Sequence, residues 1–257
     1  MQITVRSLNH KYLQRKSAPL QAIHDIDLDI SEGEFVALIG TSGCGKSTLL
    51  RILSGLLTPT GGIVKLGDQL PQAWIAAKRV GWLAQNPALL PWKTVQENIT
   101  LAQQINPQRH RALLPSKDLV ELVGLTDFAD AYPFTLSGGM QQRVALARTL
   151  ALGADLWLMD EPFAALDELT RETLTTELLR IWQRFRPTVI WVTHHIYEAA
   201  RLASRVLVMT PRPGQIAAQI PINLAYPRDE SQTAFQTVIS SIRSKLQVTG
   251  QMLTTGY

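Results

Sequence analysis

Residues 40–48 read GTSGCGKST, a match to the spacing G-x-x-x-x-G-K-[ST] at Gly40, Gly45, Lys46 and Ser47. Glycines spaced this way let a backbone curl until several N–H groups face one anion. The whole stretch, Gly40, Thr41, Ser42, Gly43, Cys44, Gly45, Lys46, Ser47 and Thr48, is therefore a candidate grip on phosphate. Amide hydrogens would surround the group, the Lys46 ammonium would sit on its β- and γ-oxygens, and the Ser47 hydroxyl is a Mg²⁺ ligand. A helix that begins after the loop adds its positive end. The second chemical candidate is LWLMDE at 156–161, four apolar residues followed by Asp160 and Glu161. Alone, that pair also fits an ordinary helix start. Joined to a phosphate loop, Asp160 becomes a holder of Mg²⁺, directly or through water. Glu161 becomes the carboxylate that polarises an attacking water, worth roughly 10²–10⁴-fold in rate.

These groups need elements to carry them. Ile3 to Leu8, and then Ile26, Leu28 and Ile30, alternate apolar with polar, which predicts half-buried strands. Glu34 to Ile39 is a nearly continuous apolar run leading into glycines, as a buried strand would be. Leu49, Leu50, Leu53 and Leu57 then recur at helical spacing over Lys46 to Leu56. Strand, glycine-rich loop and helix thus follow in the order that phosphate binding requires. Short strands are predicted at Gly61 to Leu66 and Val80 to Ala84. A helical region runs from Thr94 to about Gly153, interrupted at Pro107, Pro115 and Pro133. Beyond it the pattern predicts a strand at Leu156 to Met159, a helix at Asp167 to Phe185 and a strand at Thr188 to Thr193. A helix at Ile196 to Ala203, a strand at Val206 to Met209 and a last helix over Gln232 to Gln247 complete the reading. Strands alternating with helices imply an α/β protein with a mostly parallel sheet.

Composition narrows the class. The 257 residues are 46% hydrophobic and 18% charged, ordinary for a folded protein with a sizeable core. The longest uncharged stretch, Pro213 to Pro227, is too short to span a bilayer and is broken by Pro221. The first residues, MQITVRSLNHKY, hold no apolar run like that of a signal peptide, so a cytoplasmic location is expected. The single cysteine, Cys44, excludes an intrachain disulfide and reads as a small filler of the loop. The net charge of +4 comes from scattered Lys and Arg rather than a stripe, which argues against nucleic acid as a partner. His10, His24 and His110 are isolated and read as surface residues.

Residues 136–143, LSGGMQQR, resemble the signature motif of ABC (ATP-binding-cassette) ATPases, and other motifs of that family follow in its order along nearly the whole chain. Tyr12 matches the aromatic that stacks on adenine and Gln85 the Q-loop glutamine, a ligand of Mg²⁺. Asp167, in AALD, matches the D-loop, and His194, in WVTHH, the switch histidine, with Glu161 in the place of the catalytic base. The resemblance implies a P-loop NTPase core at 1–85 and 154–210 with an N-terminal antiparallel β portion. It also implies a helical subdomain at 86–153 and a C-terminal extension at 211–257. Two chains would pack head to tail, each Mg-ATP lying between the phosphate loop of one and Ser137, Gly138 and Gly139 of the other. The residues agree with that role, because Ser137 is a good N-cap and the glycines expose N–H groups at a helix start. Two departures stand out. Met140 replaces a common Gln without touching those contacts, and His195 follows His194 where Asp is common.

NPALLPWKTVQENI at 86–99 and PRPGQI at 211–216, followed by Pro227-Arg228, look like the subgroup that imports nitrate, sulfonates, taurine and related small solutes. The expected protein is then a peripheral ATPase on the cytoplasmic face of the cell membrane. Its partners would be an integral-membrane permease, a second ATPase subunit and, indirectly, a solute-binding protein. Leu89, Leu90 and Trp92 beside Gln85 would form the groove for a permease helix. Two other classes are disfavoured: a non-transport ABC ATPase acting on nucleic acid, by the single cassette and the lack of heptads, and a small-molecule kinase, in which the SGG segment would have no role. The solute itself is not encoded in any residue pattern.

Overall fold

The computed structural model describes residues 1–13, 18–107 and 114–251, so the reading of His110 as a surface residue lies outside the described residues. In chain order the elements are β1 (Ile3–Tyr12), β2 (Leu20–Ile30), β3 (Phe35–Ile39), α1 (Lys46–Leu53), β4 (Gly61–Leu66), α2 (Pro71–Ala76) and β5 (Val80–Leu83). Helices α3 (Val95–Ile105), α4 (Ser116–Leu122) and α5 (Gly138–Ala151) follow, then β6 (Leu156–Asp160) and α6 (Glu168–Phe185). The chain ends with β7 (Thr188–Val192), α7 (Ile196–Leu202), β8 (Arg205–Met209), β9 (Ile216–Pro221) and α8 (Thr233–Gln251). Two compact units arise, one from Met1–Trp74 with Thr188–Tyr257, the other from Ile75–Pro187.

In the first unit β1 pairs antiparallel with β2 and with β4, giving a three-stranded antiparallel sheet. The alternation of Ile26, Leu28 and Ile30 is that of a strand with one buried face, and all three are buried. Strand β3 pairs parallel with both β7 and β8, and β9 adds an antiparallel edge beside β8. Every residue of β3 and β7 is buried, as continuous apolar runs in a parallel sheet require. Helix α1 turns Leu49, Leu50 and Leu53 inward, each worth roughly 1.5–3 kcal/mol of apolar burial. Helix α8 packs against α7, β8 and β9, burying Phe235, Ile239 and Ile242.

In the second unit β5 and β6 pair parallel, Val80 opposite Leu156 through Leu83 opposite Met159. Helices α3, α4 and α5 pack on one another. Helix α3 starts at a capping box in which Thr94 accepts from Glu97 N while Glu97 accepts from Thr94 N. Two elements had no prediction, α2 and the edge strand β9. The IAAQIP run of β9 is mostly half-buried or exposed, so its apolar residues show no clean period. One reading is corrected: His10 is not a surface residue but 4% exposed, because it falls on the inward face of β1 two residues after the buried Leu8. His24 is exposed.

Candidate functional site

In the first unit the site grows from the C-terminal ends of adjacent parallel strands, where ligands of open α/β sheets collect. Ile39 ends β3 and gives onto the glycine-rich loop, and Val192 of β7 pairs with Leu38 one residue before that end. Thr193 N donates to Leu38 O at 3.3 Å, which sets the exposed His194 just past the strand end. Within the loop Gly43 and Gly45 have φ of 75° and 104°, a region that side chains rarely enter. A Cβ at Gly45 would stand 2.8 Å from Ala22 O, so the loop is both twisted and tightly backed. Lys46 folds into it, Nζ donating to Gly40 O at 2.8 Å and Thr41 O at 3.0 Å, and is only 7% exposed. Its ammonium is thus buried on carbonyl oxygens without a carboxylate, an arrangement that favours arrival of an anion. The Cys44 thiol, 1% exposed, lies 3.7 Å from Nζ and fills the loop's floor. Ser47 is half-buried in the first turn of α1. The Tyr12 hydroxyl meets Thr48 Oγ1 of that helix at 3.2 Å, bringing the aromatic ring beside the phosphate-loop helix. His10 packs edge-on against Tyr12, ring centroids 4.7 Å apart. Burial pushes its imidazole pKa below the ordinary value, with the Thr58 backbone partly offsetting.

The second unit holds the acidic groups. Leu83 and Met159 are paired at the ends of β5 and β6, so Gln85 and Asp160-Glu161 emerge together. Gln85 Nε2 donates to Glu161 Oε2 at 3.4 Å. Asp160 is 5% exposed. Glu161 takes φ of 50°, a left-handed conformation that a non-glycine residue holds only at a cost of order 1–3 kcal/mol. Strain of this size at a carboxylate just past a strand end is characteristic of functional positions. Ser137 caps α5, its Oγ accepting from Met140 N at 3.3 Å, and Ser137 and Gly138 are exposed. A Cβ on Gly139 would stand 2.8 Å from Ala165 O, so no larger residue fits between the helix start and the loop before Asp167. Asp167 caps α6, accepting from Thr170 N at 2.9 Å and from Thr170 Oγ1 at 2.8 Å. Those hydrogen bonds hold its carboxyl below the usual carboxylate range. The Ser47 hydroxyl and the Asp160 carboxylate are hard oxygen donors of the kind Mg²⁺ prefers. Among the described residues no three His, Cys, Asp or Glu side chains form a metal cage. Ser47 in the first unit and Asp160 in the second are each a donor of the kind that serves an ion keeping waters and phosphate oxygens as its other ligands.

Comparison with known proteins completes the picture. Residues 23–164 match the family model described as ABC transporter. The chain is 46% identical over 218 residues to an uncharacterized ABC transporter ATP-binding protein of Methanocaldococcus jannaschii, covering 84% of this chain and 80% of that one. The chain belongs to the ABC transporter family. It is an ATP-binding subunit of that family and an ATPase. The aliphatic sulfonates import ATP-binding protein SsuB of Bacillus thuringiensis is 38% identical over 245 residues, 95% of this chain and 96% of that one. A dimeric post-hydrolysis structure of the ATP-binding cassette MJ0796 bound to ADP and Pi superposes with a TM-score of 0.76 at 29% identity. It covers 87% of this chain and 100% of that one.

The ABC fold also uses residues that sequence reasoning missed. Arg212 donates to Gly43 O at 3.1 Å, bracing the outer turn of the phosphate loop. Gly214 lies so close that a Cβ would stand 2.0 Å from Cys44 O, while Gly214 N donates to Ala22 O at 2.9 Å. PRPG was visible as a motif, but its contact with a loop 170 residues earlier has no local signal. Asn98 is fully buried and clamps the turn after Gln85, accepting from Leu90 N and donating to Leu90 O, Lys93 O and Thr94 O. Beside that turn Trp82, Leu90, Leu101, Ile105, Arg148 and Leu152 line a groove of about 270 Å³. Of the three residues expected to form a groove, Leu90 lines this one and Leu89 and Trp92 do not, Leu89 being half-buried and Trp92 69% exposed. Among the described residues no helix is long and apolar enough to cross a membrane.

Proposed function

We propose that this chain is the ATP-hydrolysing subunit of an ABC importer, working on the cytoplasmic face of the membrane with a second ATPase subunit. A separate permease fed by a solute-binding protein would carry nitrate, a sulfonate, taurine or a related small solute. Lys46 and the N–H groups of residues 40–48 hold the β- and γ-phosphates, and Tyr12 stacks on the adenine. Ser47, Asp160 and Gln85 hold Mg²⁺, which neutralises charge on the phosphate oxygens. Glu161 takes the proton of the attacking water, and His194 contacts the γ-phosphate. Ser137, Gly138 and Gly139 of a second copy approach that phosphate from across the dimer, with Asp167 beside the seam. The dimer closes on ATP and loosens after hydrolysis. Residues 86–153 act as a helical subdomain on the core of 1–85 and 154–210, and 211–257 as an extension. The groove beside Gln85 receives a permease helix.

The observation that carries this reading is the buried Lys46 ammonium, seated on loop carbonyls past the end of β3, beside the paired end of β7 that bears His194. The relationship to SsuB over nearly the whole chain supports the importer class and the solute. The test is a pull-down of tagged Glu161→Gln protein from solubilised cells with ATP present, with partners identified by mass spectrometry. A multi-span membrane protein together with a sulfonate-binding protein is expected. Soluble or nucleic-acid-bound partners alone would sink the importer reading while leaving the ATPase standing.

A further inference from the structure

Among the described residues two carboxylates are buried, Asp160 at 5% exposure and Glu198 at 7%. The chemistry above uses the first and not the second. A carboxyl is costly to bury unless donors satisfy it, and two side-chain donors meet Glu198. Its Oε1 accepts from Trp191 Nε1 at 2.7 Å and its Oε2 accepts from Thr193 Oγ1 at 2.9 Å. The Thr193 hydroxyl, committed as a donor to Glu198, keeps a lone pair that accepts from His195 N at 3.0 Å. His195 is the N-cap of α7, and its own side chain makes no cap. Glu198 stands at the third position of that helix, from which a capping-box glutamate reaches back to the N-cap N–H. Here the reach is relayed through a hydroxyl that belongs to the end of strand β7. The relay therefore fixes the backbone on both sides of His194. Thr193 is held to Glu198 by its side chain and to Leu38 O by its N–H, and His195 is held to Thr193. Leu38 lies on the strand that feeds the phosphate loop, so the relay registers the exposed His194 against that loop.

We infer that Glu198 is a positioning residue for His194, acting through the Thr193 hydroxyl on the backbone that carries the imidazole. The inference rests on the reading of His194 as the γ-phosphate contact. A Gln at 198 keeps one acceptor and turns the other into an N–H. Turned towards the Thr193 hydroxyl, that N–H removes the acceptor that anchors the relay; turned towards Trp191, it sets two N–H donors against each other and pushes the side chain away from the position that anchors it. The side chain of Glu198 touches no substrate, so nucleotide affinity is spared.

The experiment measures kcat and KM for ATP on the full-length protein carrying Glu198→Gln, Thr193→Val, Thr193→Ser, His194→Ala and the pair His194→Ala with Glu198→Gln. Glu198→Gln and Thr193→Val are each expected to lower kcat roughly tenfold, since small misplacements cost that much or more, with KM within about twofold. Thr193→Ser, which keeps the hydroxyl, restores the rate. In the His194→Ala background Glu198→Gln adds less than about a twofold loss, because the group it positions is gone. Multiplication of the two losses would overturn the inference, as would an unchanged kcat or a loss confined to KM. If His194→Ala itself hydrolyses ATP at the full rate, the reading of His194 fails first and takes the inference with it. Should Glu198→Gln not fold, the Thr193→Val and Thr193→Ser pair, with His194→Ala as background, carries the same comparison.

Discussion

Lys46 brings an ammonium into a loop whose other groups are backbone amides, the hydroxyls of Thr41, Ser42, Ser47 and Thr48, and a thiol. Its carbonyl partners satisfy its hydrogens but not its charge, so a bound phosphate gains a charge-assisted hydrogen bond worth about 1.5–3 kcal/mol. Lys46→Ala is expected to weaken ATP binding by roughly 10- to 100-fold on that basis, read by titration with a fluorescent nucleotide analogue. Affinity within a factor of two of the parent would contradict the role given to Lys46. The same scale sets a pH dependence through His10. Burial lowers the folded pKa of its imidazole below the unfolded value, so the folded state favours the neutral ring. The stability His10 contributes is therefore complete above the ordinary histidine pKa and is lost as pH falls through it towards the lowered folded value. Thermal unfolding followed from neutral pH to about pH 5 should show a falling midpoint, and His10→Phe should flatten that acid limb. An identical slope in the variant would contradict this. Isolation in the sequence made His10 look like a surface residue. Its place two residues after Leu8 on an alternating strand was the signal that it faces inward.

At the scale of elements, what was legible followed from local order. Strand β3, the glycine-rich loop and α1 are contiguous, so apolar run, glycine spacing and helical period were all readable in one window. Asp160 and Glu161 were placed by the same logic, a buried strand ending in acid. The left-handed backbone of Glu161 was not legible, because nothing in the residue type asks for φ of 50°. Strand β9 and the contact made by the PRPG turn escaped for a different reason. Their places are fixed by pairing with β8 and by contact with Cys44 O, both of which depend on tertiary packing. Asn98 was overlooked as one polar residue in a helix, although it makes four hydrogen bonds to the turn at 90–94. Asn98→Ala would strand several buried backbone groups, each costing about 1–3 kcal/mol when left unpaired. A loss of about 2 kcal/mol or more in denaturant unfolding is expected, together with faster proteolysis of the 86–94 segment. A change below about 0.5 kcal/mol, the size of ordinary surface substitutions, would show that the turn is held by other means.

At the scale of the whole molecule, the residues of the proposed ATP site are divided between the two units. The first unit has the phosphate loop, Tyr12 and His194, while the second has Gln85, Asp160, Glu161 and the SGG start of α5, with Ser137 and Gly138 exposed. In the proposed mechanism the SGG segment acts when a second copy brings it to the γ-phosphate. That is the arrangement the head-to-tail resemblance implies, and the solved relative MJ0796 is likewise dimeric with ADP and Pi. The proposed shared site would tie hydrolysis to association. The most direct test is sedimentation velocity of Glu161→Gln protein with and without Mg-ATP, alongside Glu161→Gln combined with Ser137→Arg. The account predicts a monomer without nucleotide and a dimer with it. It further predicts that the Ser137→Arg form stays monomeric while still binding ATP. A Glu161→Gln protein that remains monomeric at saturating Mg-ATP, or a Ser137→Arg form that dimerises as readily, would contradict the shared site.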